Sequence, residues 1–219
     1  MNNNNKITLA IESAIAGGSL ALYNGGEIIA SRLGDDNISR AEALLVNIAE
    51  MLDDSGVKKT DLGVIAVSLG PGSFTGIRIG IATALGLKNA LGVECVGFST
   101  LEAIAQEHAS LQNVIAAVPV GKVDVACQWF GKDGLMFSDP ISDEAEKFLE
   151  YVQAQPKAAI CAHTQVIERF GDRLDYLGLS VVDVGRDLAS YIASSAAKHP
   201  GSHSLEPIYL RNSRYTGIG

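Results

Sequence analysis

The stretch Val64-Ile65-Ala66-Val67-Ser68-Leu69-Gly70-Pro71-Gly72-Ser73-Phe74-Thr75-Gly76-Ile77-Arg78-Ile79-Gly80 joins an apolar run to a glycine-rich turn and a helical segment that continues to Leu91. An unbroken apolar run of this kind reads as a strand buried on both faces. Strand, tight turn and helix in succession are the repeating unit of a layered α/β protein. At such a turn, backbone N–H groups and the helix dipole can hold an anion. The phosphate-loop pattern is absent, because Gly76 is followed by Ile77-Arg78 and not by Lys-Ser/Thr. The dinucleotide fingerprint is absent too, because three residues separate the last two glycines. A plain structural turn with Ser73 as helix N-cap stands beside the anion-cradle reading.

Towards the N-terminus, Ile7-Thr8-Leu9-Ala10-Ile11 reads as a buried strand. Ser19 to Tyr23 and Glu27 to Arg32 flank Asn24-Gly25-Gly26, a strong hairpin signal. The links between these strands are too short for a crossover helix, so the three are antiparallel. A helix is expected over Ile38 to Leu52, ended by Gly56. After Leu91, Val93 to Gly97 reads as a strand and Thr100 to His108 as a helix capped by Ser99. In the second half, Val114–Val118, Val123–Phe130, Ala158–Ala162 and Val181–Val184 read as strands. Asp143–Ala154, Gln165–Phe170 and Arg186–Lys198 read as helices. The plan divides into residues 1–108 and a second α/β unit over 109–219.

The helix Phe74–Leu91 carries only Arg78 and Lys88 as charges, and its apolar residues point in several directions. A helix apolar nearly all round needs cover on more than one side. Gly76, Gly80 and Ala84 form a ridge of small residues that a second helix could approach. Ala41, Leu44, Leu45, Ile48 and Leu52 give the earlier helix a wide apolar stripe. Two readings follow: both helices pack only on their own sheet, or they form half of an intermolecular four-helix layer. On the second, the partner-binding set is Ala41, Leu44, Leu45, Ile48, Leu52, Gly76, Ile77, Gly80, Ile81 and Ala84. A charge at Ile81 or Leu45 is then expected to abolish pairing in an intact monomer.

Seventeen Lys and Arg against 25 Asp and Glu leave a net charge of −8, which argues against direct nucleic-acid binding by this chain. No apolar run reaches membrane-spanning length and no leader-like segment is seen, so a cytoplasmic location is expected. Three cysteines without a CxxC give no disulfide framework or cysteine metal site. His199 and His203 have a zinc-like spacing, but Pro200-Gly201 breaks the helix between them. Glu12 ends the first strand, a common place for a functional carboxylate, and no second acid is placed beside it by spacing. No nucleophile, base and metal set emerges.

Gly70 to Gly80 resembles the signature of the TsaB (YeaZ) family. So do Leu9-Ala10-Ile11-Glu12-Ser13, the run Val96 to Ala105, and Pro207-Ile208-Tyr209-Leu210-Arg211-Asn212. The resemblance is dense over residues 7–105, thin in the middle, and returns at the tail. It implies an α/β fold of the ASKHA type (actin-like, Hsp70-like, ribonuclease H-like), with two domains of mixed sheets flanked by helices. It also implies a non-catalytic partner of a TsaD-like transferase, which threonylcarbamoylates adenosine 37 of ANN-decoding tRNA. Pairing is implied through the two N-terminal helices, together with a TsaE-like ATPase, a homodimer in isolation, and tRNA contact only through the complex. The absence of His from Ile38–Leu52 fits a non-catalytic role.

Some positions depart from the family pattern. Glu12-Ser13-Ala14 stands where the family usually has Asp-Thr-Ser, and Asn37-Ile38-Ser39 where it often has His-Ser. Pro119 to Val125 replaces a usual Asp-Ala-Arg…Glu-Val-Tyr segment. The expectation is no cofactor in this chain alone, with nucleotide only in complex with partner subunits. The competing reading is an independent ASKHA-type ATP-binding enzyme or a metallopeptidase-like protein, suggested by Glu12 and the loop Gly70, Pro71, Gly72, Ser73, Phe74, Thr75, Gly76.

Overall fold

A computed structural model describes residues 6–15, 17–35 and 40–210. The expected helix start at Ile38 and the tail residues Arg211 and Asn212 lie outside the described residues, as does the side chain of Ala41.

The opening runs form β1 (Ile7–Glu12), β2 (Ser19–Asn24) and β3 (Glu27–Leu33), paired antiparallel. Gly25 and Gly26 at the hairpin turn both have positive φ, at 61° and 107°, where a Cβ would be strained. Next come α1 (Arg40–Ser55) and β4 (Leu62–Ser68), then α2 (Phe74–Leu91) and β5 (Glu94–Phe98), then α3 (Thr100–Glu107). β4 lies parallel to β1, and β5 parallel to β4, giving a mixed sheet in the order β3-β2-β1-β4-β5.

The second half repeats this plan. β6 (Val114–Val120), β7 (Asp124–Phe130) and β8 (Ile141–Glu144) are antiparallel, and β9 (Ala159–Ala162) and β10 (Val181–Asp183) add in parallel. The order β10-β9-β6-β7-β8 matches the first sheet strand for strand. Its helices are α4 (Ala145–Gln153), α5 (Thr164–Tyr176) and α6 (Leu188–Lys198).

Two elements differ from the sequence reading. Asp143 and Glu144 are not the acidic first turn of a helix. They close β8, paired with Val125 and Asp124, because Ser142 and Asp143 turn into cover beside β7. α5 runs on to Tyr176 and does not stop at Phe170, since Val166, Phe170 and Leu174 keep one four-residue buried stripe across Gly171.

Alternation along the strands builds the layers. On the first sheet, Leu9, Ile11, Ile65 and Val67 face α1 and α2. Ala10, Ala21 and Ala66 face the opposite way and let Ala189 and Ala193 of α6 approach closely. On the second sheet, Ile115, Ala117 and Cys127 face α4 and α5, while Val114, Ala116 and Val118 face Leu101 and Ile104 of α3. Thus α3 and α6 occupy the layer between the two sheets, and α1/α2 and α4/α5 form the outer layers. Among the described residues no helix is long and apolar enough to cross a membrane.

Cys95, Cys127 and Cys161 are all buried and free. Burial pushes the Cys161 thiol up to about 12 and raises Cys127 further, with Asp143 adding to the latter. Burial also raises Cys95, partly offset by Lys88. Since the thiolate is the reactive form, a disulfide reagent should label none of them in the folded chain at neutral pH. The same reagent should label all three within minutes in denaturant; fast native labelling of Cys161 would contradict this burial.

Candidate functional site

The glycine-rich turn works as a joint. Ser73 N–H donates to the Ala14 carbonyl at 2.8 Å, and the Ser73 hydroxyl accepts from Gly76 N–H at 3.3 Å, capping α2. Gly72 sits so close to Ala14 that a Cβ there would lie 2.7 Å from the Ala14 methyl. Gly76 presses on the Ser13 carbonyl, and the Ser13 hydroxyl donates to the Gly76 carbonyl at 2.8 Å. On the other side, Thr100 N–H donates to the Gly70 carbonyl at 2.9 Å, and the Ser68 and Thr100 hydroxyls share a 2.7 Å hydrogen bond. Ile208 N–H donates to the Leu69 carbonyl at 2.8 Å. The four stretches that carry the family resemblance therefore meet at one place. Several of the turn's backbone groups are engaged from within the chain, as the plain-turn reading requires.

Glu12 lies beside this joint, 1% exposed. Its carboxylate accepts from Ala14 N–H at 2.6 Å and Ile15 N–H at 3.1 Å. A turn of converging N–H groups is the kind of place where a phosphate oxygen can bind; here a side chain of the same charge occupies it. Glu12→Ala leaves two buried donors unsatisfied and should cost about 2–4 kcal/mol, whereas Glu12→Gln keeps an acceptor and should cost roughly half as much. Urea midpoints of the two variants test this; equal midpoints for wild type and Glu12→Ala would refute the role.

The ten residues proposed for partner binding divide sharply. Leu44, Ile48 and Leu52 are 7%, 4% and 3% exposed and pack on the first sheet. Ile77, Ile81 and Ala84 are buried in the same cluster. Gly76 and Gly80 face Ser13, so the small-residue ridge seats α2 on its own domain. Ile81 is only 8% exposed, so a charge there would disrupt the fold before it reported on any partner. Of the set, Leu45 faces out, at 55%.

Sequence reasoning missed Val46 and Leu85 and placed Phe74 only in the glycine-rich loop; they are 54%, 39% and 52% exposed. The usable signal was a leftover one: Leu44, Ile48, Met51 and Leu52 already make a complete sheet-facing stripe, so Leu45 and Val46 have no place on it. Between the helices, Leu45, Ala49, Leu87 and Leu91 line an apolar groove of about 190 Å³.

At the start of α2, Arg78 lies over the Phe74 ring, its guanidinium carbon 3.7 Å from the centroid. Its Nε donates to the Tyr209 hydroxyl at 2.9 Å, and the Phe74 and Tyr209 rings stand 4.8 Å apart.

Elsewhere, a cleft of about 590 Å³ between β3 and α6 contains Glu107, His108, Asp187 and Tyr191. Its acids are engaged: Glu107 accepts from Lys198 and Ser194, which holds its carboxyl low, and Asp187 caps α6 through Ser190. His163 caps α5, its Nδ1 accepting from Gln165 N–H at 3.1 Å. No group of three or more His, Cys, Asp or Glu suited to a metal ion occurs among the described residues.

A family model described as TsaD, tRNA N6-adenosine threonylcarbamoyltransferase, matches residues 38–199. The tRNA threonylcarbamoyladenosine biosynthesis protein TsaB of Escherichia coli is 41% identical over 98 residues, 45% of this chain. That alignment spans 42% of the E. coli protein, and a match to an uncharacterized Mycobacterium leprae protein spans 28% of it. TsaB of Haemophilus influenzae is 32% identical over 235 residues, covering 95% of this chain and 94% of the relative. Among solved structures, a Pseudomonas aeruginosa protein with similarity to peptidase YEAZ superposes with a TM-score of 0.67. It is 23% identical over 94% of this chain and 100% of its own. The ethanolamine utilization protein EutJ of Carboxydothermus hydrogenoformans gives 0.57 at 12% identity, covering 86% and 89%. These structural likenesses establish the fold as the two-sheet ASKHA-type α/β plan, and the near full-length match to the Haemophilus influenzae protein places this chain in the TsaB (YeaZ) family of tRNA threonylcarbamoyladenosine biosynthesis proteins.

Proposed function

We propose that this chain is a non-catalytic subunit that binds and activates a TsaD-like transferase through the outer faces of α1 and α2. The observation that carries this reading is a contrast between the two halves. The corresponding outer helices of the second half expose charge: Glu146, Lys147 and Glu150 on α4, and Glu168, Asp172 and Arg173 on α5, with Arg173 forked onto Glu146 at 2.7 Å. α1 and α2 also expose charge (Glu50, Asp53, Asp54, Arg78 and Lys88), but beside it stand the large apolar side chains Leu45, Val46, Phe74 and Leu85, against Tyr176 on α4 and α5. Large apolar side chains gathered on one helix pair fit a protein partner. The occupied Glu12 turn supports a chain that binds no nucleotide by itself. In this reading the complex works in the cytoplasm with a TsaE-like ATPase, tRNA is reached through the TsaD-like subunit, and the free chain self-associates through the same face.

Light scattering on a sizing column tests the proposal, with this chain alone and then mixed with the TsaD-like subunit of the same cell. A free-chain dimer that converts to a heterocomplex is expected. No heterocomplex, even with the TsaE-like ATPase and ATP present, would refute it.

A further inference from the structure

We propose that Arg78, clamped between Phe74 and Tyr209, is the anchor that receives a carboxylate of the TsaD-like subunit. The inference rests on the reading of the α1/α2 face just given. Arg78 belongs to the exposed stripe of α2, with Phe74, Thr75, Ala82 and Leu85. It rests on a ring face and one hydroxyl, both without charge, and no carboxylate among the described residues pairs with it. The ring below and the hydroxyl at Nε hold the guanidinium plane and leave its two terminal NH2 groups for a bidentate acceptor. An arginine already held in place loses little side-chain freedom on binding.

The need for an anion follows from what surrounds it. When a partner covers Phe74 and Leu85, it also takes water from Arg78, and a desolvated cation without a counter-charge is strongly disfavoured. The covering surface must therefore bring a negative group. A carboxylate fits better than a nucleic-acid phosphate, which calls for several cations together. The other exposed cation of α2, Lys88, lies ten positions further along the helix, and α1 exposes the acids Glu50, Asp53 and Asp54 beside Leu45 and Val46, a surface that repels a phosphate backbone. Tyr209 is a positioning residue, brought there by the tail that Ile208 ties to Leu69.

The test is calorimetric titration of the full chain with the TsaD-like subunit at several salt concentrations. Arg78→Gln should weaken binding by about 10–100-fold and flatten its salt dependence, at an unchanged melting temperature. Arg78→Lys should recover little of this, because an ammonium cannot reproduce the stacked fork. Tyr209→Phe keeps the ring and loses the hydroxyl, and should weaken binding about 3–10-fold with the salt dependence retained. Lys147→Gln, exposed on α4 of the second half, should bind like wild type.

Arg78→Gln binding as tightly as wild type, with the same salt dependence, would overturn the anchor while leaving the subunit reading intact. Binding of unmodified tRNA by the isolated chain, lost in Arg78→Gln while subunit pairing is unchanged, would overturn the carboxylate in favour of phosphate. Failure of the wild-type chain to bind at all would remove the subunit reading, and the anchor with it.

Discussion

Leu45→Glu combined with Leu85→Glu should leave a folded monomer and abolish the complex with the TsaD-like subunit. Both side chains are exposed, at 55% and 39%, so two glutamates on helix surfaces change stability by only about 0.5 kcal/mol each. At an apolar interface each brings a desolvated, unpaired charge, and together they should weaken association by at least about 100-fold. Sizing with light scattering reads the loss, and circular dichroism reads the intact fold. Ile81→Glu is the informative contrast. It buries a charge in the cluster that holds α2 to the first sheet, so it should unfold the chain at a cost of about 4 kcal/mol or more. If the double variant still formed the complex, the outer face of α1 and α2 would be excluded as the partner surface.

Gly76→Ala should be among the most damaging single-methyl additions in this chain. A Cβ at Gly76 overlaps the Ser13 carbonyl oxygen, a backbone atom fixed by β1 and by the turn that follows it. Relieving the overlap means moving α2 off the sheet or breaking the Ser13–Gly76 and Ser73–Ala14 hydrogen bonds. The expected loss is about 3 kcal/mol, a fall in melting temperature of roughly 6–12 °C for a chain of this size. Gly80→Ala meets the Ser13 hydroxyl instead, which can rotate away by giving up its bond to the Gly76 carbonyl, a loss offset because alanine favours a helix interior by up to about 1 kcal/mol. Its net cost should therefore be about 1 kcal/mol or less. Equal melting temperatures for the two variants would show that Gly76 is not held against Ser13. The glycine is needed here for space and not for backbone conformation, since Gly76 is not among the positive-φ glycines.

Much of the architecture was legible because it is local. α2 starts at Phe74 with Ser73 as its cap and ends at Leu91, where Gly92 takes a left-handed conformation. The β2–β3 hairpin follows from Asn24-Gly25-Gly26, and Ser99 caps α3. These are choices among a few backbone states, decided by residues within one turn of each other. β8 was missed because its four residues alternate weakly and end in two acids, so only pairing with β7 makes them a strand. The end of α5 was missed because Gly171 looks like a stop when Leu174 is not known to reach the core.

The candidate site divides along the same line. By itself the sequence determined the family and the mixed α/β plan, and it left both readings of the apolar helices α1 and α2 open. Tertiary structure alone decided which apolar residues the first sheet consumes: Leu44, Ile48, Ile77 and Ile81 inward, Leu45, Val46, Phe74 and Leu85 outward. It also brought Tyr209 onto Arg78, across 131 positions of chain. The physical reason is one of range. Caps, turns and periodicity act between neighbours in the chain, whereas the face a helix leaves free depends on where it lands on the sheet, and here the contact of Gly76 with Ser13 sets that seat.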